Sequence, residues 1–154
     1  MALLSRVFYY INFFKFRLVK TMDTLTPPKD ALELFVFWTW MGSDGICRTK
    51  TKPGAVVNLK EAVENSIAVD SFYMGKKFPI LVDARQVKSM AKEARAHFST
   101  NGRKTNINSM AIMVKSPLSR VIGNFFMGLN KPNVPARLFD DETEAVEWLR
   151  QYVQ

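Results

Sequence analysis

The sequence predicts an α/β fold, with a mixed, mostly parallel sheet of about five strands, an N-terminal hairpin and about four helices. Two short apolar runs, residues 78–85 and 109–115, are typical of central strands that are buried on both faces. An amphipathic segment of helical length follows each run, and strands that alternate with helices favour a parallel sheet. Residues 136–139 predict a further short strand, between the third and fourth helices.

The hairpin is predicted at residues 31–52. Residues 31–40, ALELFVFWTW, are rich in β-branched and aromatic side chains, which indicates a strand. GSDG at residues 42–45 predicts a turn. Residues 46–52 alternate between apolar and polar, which favours a second strand with one face in solvent.

Cap residues locate the first and third helices. Asn58 is a good N-cap with Glu61 three positions on, and Ser116 followed by Pro117 is a strong start signal. Residues 89–99 predict a helix between these two. Helical spacing predicts three buried faces: Leu59, Ala62, Val63, Ile67 and Phe72; Met90, Ala94 and Phe98; and Leu118, Ile122, Phe125, Phe126 and Leu129.

The segment RLFDDETEAVEWL places four acidic residues within a short stretch, Asp140, Asp141, Glu142 and Glu144. Such a cluster could be a metal site, a catalytic acid pair or a helix start. We favour the helix start, because a side chain at Asp140 or Asp141 can accept hydrogen bonds from the free N–H groups of a first turn. The other acids suit the positive end of the helix dipole. Ala145, Trp148, Leu149 and Tyr152 then follow at helical spacing.

Composition limits the classes of function. The 154 residues suffice for one domain, and half of the net charge of +8 lies in residues 1–22, which carry four basic residues and no acid. The remainder is only +4, which argues against a nucleic-acid partner. A single cysteine, Cys47, excludes an intramolecular disulfide and favours a reducing, cytoplasmic compartment. With His97 as the only histidine, we find no catalytic constellation, and we expect no enzyme, no cofactor and no metal site.

Residues 1–30 are predicted to be an aromatic, basic extension and linker, and residues 31–154 the domain. The longest uncharged run in the extension is too short to span a membrane. Three interpretations stay open: an amphipathic anchor in peripheral contact with a membrane, a disordered or loosely docked arm, or a true translation start at Met22.

Three stretches carry a resemblance to a known family: ILVDARQVKSMAKEARAHFS, SPLSRVIGNFFMGLNKPNVPARLF and DDETEAVEWL. With the order of the elements, they resemble STAS-like domains, typified by the anti-sigma-factor antagonists of sporulation and related in architecture to CRAL-TRIO lipid carriers. They look closest to small uncharacterised STAS-like proteins of Bacteroidetes-type bacteria. The resemblance covers residues 31–153 and implies the fold more than an activity.

One departure from the antagonists bears on function. Their phosphorylated Ser or Thr lies in a turn that begins the helix after the central strand. Here Ala91, Lys92, Glu93 and Ala94 occupy that place, and Ser89 lies outside it. We therefore do not expect phosphoryl switching in the form known for the family.

Ligands of open α/β sheets bind beyond the carboxyl ends of the strands. Two polar clusters follow the central strands, and together they are the candidate ligand or partner site: Asp83, Arg85 and Lys88, and then Lys115, Ser116, Ser119 and Arg120. Adjacent strands would bring the clusters together, and a helix N-terminus with an arginine could bind an anion. The structural alternative is that Asp83 pairs with Arg85 and that Ser116 is only a cap.

The leading hypothesis is a non-catalytic regulatory domain that binds a protein partner through residues 89–99, Arg85 and Lys88. The alternative is a carrier or sensor of a small ligand, either apolar and lipid-like or anionic. The CRAL-TRIO relation and the apolar NFFMGLN segment motivate this alternative. An enzyme would depend on His97, Cys47 or the Asp83–Arg85 pair.

Overall fold

A computed structural model describes residues 25–99, 105–128 and 132–154, without the side chains of Phe125 and Phe126. The interpretations of residues 1–24 and the predicted inward positions of Phe125, Phe126 and Leu129 therefore lie outside the described residues. In chain order the elements are β1 (Leu32–Glu33), β2 (Phe37–Met41), β3 (Cys47–Thr51), β4 (Ala55–Val57), α1 (Leu59–Asp70), β5 (Phe78–Asp83), β6 (Val87–Met90), α2 (Lys92–Phe98), β7 (Ile107–Met113), α3 (Pro117–Met127), β8 (Ala136–Phe139) and α4 (Glu142–Arg150).

Six strands form one mixed sheet in the order β1-β2-β3-β5-β7-β8. The β1–β2 and β2–β3 pairs are antiparallel, and the β3–β5, β5–β7 and β7–β8 pairs are parallel. This confirms the predicted mostly parallel sheet that begins with a hairpin. β4 and β6 pair in a separate, two-stranded parallel sheet.

The N-terminal hairpin differs from the prediction in two ways. Residues 31–40 are not one strand, because the chain reverses between β1 and β2, where the Leu34 N–H donates to the Phe37 carbonyl at 2.8 Å. β3 also lacks the predicted solvent face, since both faces of the sheet are covered there. Its polar side chains stay buried by finding partners within the protein, as Arg48 does with Asp44 and Thr49 with Thr39.

α1 begins where predicted but buries a different face. Its N-cap is Asn58, whose backbone N–H donates to the Glu61 carboxylate at 2.9 Å. The predicted inward residues Leu59, Val63 and Ile67 are 45 %, 36 % and 66 % exposed. The helix instead turns its smaller and polar residues inward: Glu61, Ala62, Asn65, Ala68 and Val69.

The second predicted helix is shorter than residues 89–99. Ser89 and Met90 belong to β6, where Ser89 pairs with Val56 and Met90 with Val57 of β4. The helix begins at Lys92, after Ala91, and its Ala94 is fully buried. Backbone pairing to β4 therefore takes precedence over the helical pattern in this segment.

The C-terminal elements follow the sequence closely. The Ser119 N–H donates to Ser116 Oγ at 3.0 Å at the start of α3, and β8 has the predicted bounds Ala136–Phe139. The Glu144 N–H donates to Asp141 Oδ1 at 2.9 Å, so the acidic segment does begin a helix. Of the predicted inward residues of α3, Ile122 is buried as expected, whereas Leu118 is 41 % exposed.

The main sheet separates two apolar cores. One lies against α4 and contains Leu81, Phe139 and Leu149, together with Leu25, which is fully buried. Lys50 Nζ donates to the Leu25 carbonyl at 3.1 Å, so Leu25 is part of the folded unit. The other core lies against α1, α2 and α3. No helix in the part of the chain that the structure describes is long and apolar enough to cross a membrane.

Candidate functional site

The first predicted cluster contains an ion pair. Asp83 is the last residue of β5 and is 1 % exposed. Arg85 Nε donates to Asp83 Oδ1 and Arg85 Nη2 to Asp83 Oδ2, both at 2.8 Å, and the Arg85 backbone N–H adds a bond of 3.1 Å. Such a two-point pair holds the guanidinium in place against the end of the strand. Lys88 lies on β6 and is exposed.

The second predicted cluster is a network of hydrogen bonds around Ser119, which is fully buried. Its Oγ accepts from the backbone N–H groups of Lys115 at 2.9 Å and Ser116 at 3.0 Å, and donates to the Ser116 carbonyl. The Ser119 N–H in turn donates to Ser116 Oγ. Arg120 lies outside this network, exposed, with its Nη2 3.4 Å from Asp140 Oδ2.

The sheet brings the two clusters to the same edge. β5 and β7 are adjacent and parallel, with Asp83 opposite Met113, so both clusters follow neighbouring strand ends as expected. The N–H groups at the start of α3 that could bind an anion are largely used by Ser116 and Ser119. The contacts described so far are those of the structural alternative, in which Asp83 pairs with Arg85 and Ser116 caps the helix. A ligand at this edge stays a prediction.

Sequence reasoning missed a cavity. It has a volume of about 90 Å³ and lies between the main sheet and helices α1, α2 and α3. Its walls are mostly apolar, with Phe37, Ile80, Val82, Phe98 and Ile112 among them. Six described polar residues also line it: Thr49, Thr51, Asn65, Ser66, Asp70 and Thr105.

Asn65 is a polar residue that α1 turns toward the sheet, and it is 4 % exposed. Its Oδ1 accepts two hydrogen bonds, from Thr39 Oγ1 at 2.8 Å and from Thr49 Oγ1 at 2.9 Å. The two threonines are directly opposite each other on β2 and β3. These bonds fix the orientation of the amide group, and Asn65 Nδ2 has no hydrogen-bond partner among the residues that the structure describes.

The other polar residues of the cavity wall are bonded within the protein. Thr51 Oγ1 donates to the Asp83 carbonyl at 3.0 Å. Ser66 Oγ lies 2.9 Å from His97 Nε2, and Asp70 Oδ1 accepts from Asn106 Nδ2 at 3.1 Å. Thr105 Oγ1 accepts from the Ile107 N–H. The Thr105 hydroxyl proton has no acceptor among the described residues, but Thr105 is only half-buried. Of the described lining side chains that are buried, Asn65 is therefore the one with a donor left over.

A polar residue within a helix that otherwise faces the sheet was the available signal for this site. Asn65 lies three positions after Ala62 and four before Val69, and both of these residues are buried. Leu59, Val63 and Ile67 also have the spacing of a buried helix face, although they are exposed. This spacing led to the prediction of the wrong buried face for α1. Nothing in the sequence places Thr39 and Thr49 opposite Asn65, because that contact depends on how the helix packs on the sheet.

α1 and α2 together form an exposed surface. The Ser66–His97 contact joins the two helices. Leu59, Val63 and Ile67 follow at every fourth position along the outside of α1, and we call these three residues the α1 ridge. Val56, on the strand just before α1, is also 41 % exposed. Ser89, its partner on β6, is exposed beside Lys88, so the ridge leads toward the basic residue that the sequence singled out.

Cys47 does not have the properties of a reactive thiol. It is fully buried in β3, and burial raises the pKa of its thiol to about 12, because the thiolate would lose its hydration. In the described ranges no three His, Cys, Asp or Glu side chains form a group that could hold a metal ion.

A second ion pair is built into the β2–β3 turn. Arg48, on β3, is 3 % exposed and donates to Asp44 Oδ1 at 2.8 Å and to Asp44 Oδ2 at 2.7 Å. Burial alone would raise the pKa of Asp44. The hydrogen bonds and charge of Arg48, together with the Ile46 N–H, outweigh burial and lower that pKa. The pair closes the hairpin at the edge opposite the two predicted clusters, since β3 starts where the parallel strand β5 has its amino-terminal half.

Comparison with known proteins gives a family and a fold. The family model described as "Domain of unknown function (DUF7793)" matches residues 39–153. No curated protein matches the sequence. The chain is similar to the crystal structure of an uncharacterized protein from the DUF3478 family with a SpoIIAA-like fold, from Shewanella loihica PV-4. The identity is 18 %, the TM-score is 0.51, and the match covers 73 % of this chain and 91 % of the other. This likeness confirms the STAS-like fold that the sequence resemblance implied, while the Bacteroidetes-type relatives stay a prediction.

Proposed function

Because the chain belongs to the DUF7793 family, a domain family of unknown function, we propose a role that rests on its own surface: a non-catalytic, cytoplasmic regulatory domain that binds a protein partner. The observation that carries the proposal is the α1 ridge. Three aliphatic side chains along one helix face water, although the same helix buries an asparagine and a glutamate. An apolar strip of this kind on a folded domain is typical of an interaction site.

The residues around the ridge support a proposal about the chemistry of the partner. Lys88 and Ser89 lie exposed beside Val56, at the end of the surface where α1 begins. We therefore expect a partner with an apolar strip, such as one face of an amphipathic helix, and an acidic residue that meets Lys88. Arg85 does not contribute a free charge to this surface, since it is paired with Asp83. The lone, buried thiol of Cys47 supports the cytoplasmic part of the proposal.

Quantitative affinity capture from a lysate of the native cell tests this proposal. Ile67→Glu places a charge on the ridge, and Val121→Glu is a matched control, because Val121 is 65 % exposed on α3 and Ile67 is 66 % exposed on α1. We expect one captured protein to be lost with Ile67→Glu, weakened with Lys88→Glu and retained with Val121→Glu. Identical capture by all four proteins would rule out this surface. If sedimentation shows a wild-type dimer that Ile67→Glu dissociates, the ridge binds a second copy of the chain instead.

A further inference from the structure

The cavity carries an inference that is independent of the α1 ridge and goes beyond the proposed function. We propose that it binds a small, neutral, largely apolar molecule that presents a hydrogen-bond acceptor to Asn65 Nδ2. The site combines mostly apolar walls with one buried side chain, Asn65, whose amide donor the described residues leave unused. A few convergent polar groups in an apolar pocket are the usual composition of a ligand site.

The state of Asn65 is the first step of the argument. Asn65 is 4 % exposed and lines the cavity, and its Nδ2 is not fully enclosed by protein, so a bound molecule can reach it. A polar donor in largely apolar surroundings is nearly always bonded to some acceptor. Asn65 could have found one within the protein if its amide were rotated. The hydroxyls of Thr39 and Thr49 hold its Oδ1 and so keep Nδ2 on the cavity side, where a bound acceptor would complete its bonding.

Charge sets the second property of the ligand. The described lining residues include the carboxylate of Asp70 and no lysine, arginine or histidine. An ion of either charge would lose its hydration against described walls that are mostly apolar. The ligand is therefore neutral, and its acceptor is a carbonyl, ether or hydroxyl oxygen. The anionic alternative considered for the sequence does not fit this cavity.

Size sets the third property. A cavity of about 90 Å³ holds more than a single water molecule, and it is smaller than a 150 Å³ protein cavity that admits benzene. Sites for drug-sized molecules occupy roughly 300–1,000 Å³. A lipid chain is accordingly too large, and the ligand is a compact molecule of the size of one small ring. Of the apolar, lipid-like ligands considered for the sequence, only a compact, fragment-sized compound fits this volume.

Two probes of equal size separate the polar from the apolar contribution. Cyclopentanone offers one carbonyl acceptor, and methylcyclopentane has the same number of non-hydrogen atoms and no acceptor. We expect both to shift the amide resonances of cavity residues such as Ile80 and Ile112 in the ¹⁵N-labelled full chain. Only cyclopentanone should also shift the side-chain Nδ2–H resonances of Asn65, because it alone offers them an acceptor. The two affinities are not compared directly, since the hydrocarbon gains more free energy on leaving water.

A variant then assigns this difference to Asn65. Asn65→Leu alone would strand two buried hydroxyls, so the variant is Asn65→Leu/Thr39→Val/Thr49→Val, which replaces the whole network by apolar groups. We expect the ratio of cyclopentanone affinity to methylcyclopentane affinity to be about tenfold lower in this variant than in the wild-type chain, which corresponds to one net hydrogen bond. Thermal unfolding checks that it is folded, and the shifts of the Asn65 side-chain resonances in the wild-type chain stand without it.

Three results would overturn the proposal. Side-chain resonances of Asn65 that do not move with cyclopentanone, or that move equally with both probes, would remove the role of Asn65. Absence of any shift up to the solubility limit of both probes would show that the cavity is not a ligand site. Tighter binding of laurate, with shifts at the same residues, would show that the cavity opens for a lipid chain. Each result leaves the test of the α1 ridge unaffected, because Ile67 and Lys88 do not line the cavity.

Discussion

Asp83 and Arg85 lie two residues apart in the chain and form a two-point ion pair in which both charged bonds measure 2.8 Å. The carboxylate is 1 % exposed, whereas the arginine side chain is 27 % exposed. The acid is therefore the member that depends on its partner, because without the guanidinium it would be a buried, uncompensated charge. The pair is better suited to ending the central strand than to meeting a ligand.

Replacing the arginine tests that view. We expect Arg85→Leu to lower the free energy of unfolding by about 2 kcal/mol, less than for a fully buried pair because the arginine is partly hydrated. Urea denaturation measures the effect. Lys88→Leu, a nearby exposed position, should change stability by less than about 0.5 kcal/mol. A ligand role for Arg85 would be favoured instead if Arg85→Leu left the stability unchanged.

The Asp44–Arg48 pair gives the protein a pH-dependent element. Its environment lowers the pKa of Asp44, so the folded state favours the ionised form. The resulting stability is fully present above the unfolded pKa of about 3.9 and is lost as the pH falls through the lower, folded value. We expect Asp44→Asn to cost about 1 kcal/mol at neutral pH.

The cost of Asp44→Asn should shrink steadily below about pH 4, because the wild-type carboxyl is then protonated as well. Urea denaturation along a pH series checks this. Glu147→Gln, which removes an exposed charge from α4, is the control and should show a much smaller dependence. A cost for Asp44→Asn that stays constant down to about pH 2 would contradict the assigned role of the ion pair.

The sequence predicts the sheet well and the helix faces poorly, for a physical reason. β5 and β7 are buried on both faces, so an apolar run alone identifies them. The start of α1 depends on local bonds, and Asn58 with Glu61 predicts it. The face that α1 buries depends on what the sheet offers. Two threonine hydroxyls there require an amide, and Asn65 takes the place that helical spacing assigned to larger aliphatic residues.

The candidate site was likewise predicted only in part. The strand ends that carry Asp83 and Ser116 could be predicted, because parallel strands end at a common edge. The cavity could not be predicted from the sequence, because it depends on the space left between α1 and the sheet rather than on any motif. The prediction of β6 failed for a related reason. Ser89 and Met90 have helical spacing, but they pair with β4, a strand that is distant in the sequence.

Cys47 provides a probe of global unfolding. The thiol is fully buried in β3, and its pKa of about 12 leaves almost no thiolate at neutral pH. We expect labelling by iodoacetamide to be slow in the native protein and to become rapid on unfolding in urea. Arg85→Leu should accelerate labelling in proportion to its loss of stability. Rapid labelling of the native chain, without such a dependence, would show that β3 opens locally.

The acidic segment is tested by its cap. Asp141 Oδ1 accepts from the Glu144 N–H, so we expect Asp141→Ala to cost about 1 kcal/mol and Asp141→Ser to restore most of that loss. Asp140→Ala should cost less than about 0.5 kcal/mol, because its contact with Arg120 is exposed and 3.4 Å long. Urea denaturation with and without Mg²⁺ measures all three. Serine is a poor ligand for this ion, so a stabilisation by Mg²⁺ that disappears in Asp141→Ser would identify a metal site rather than a helix start.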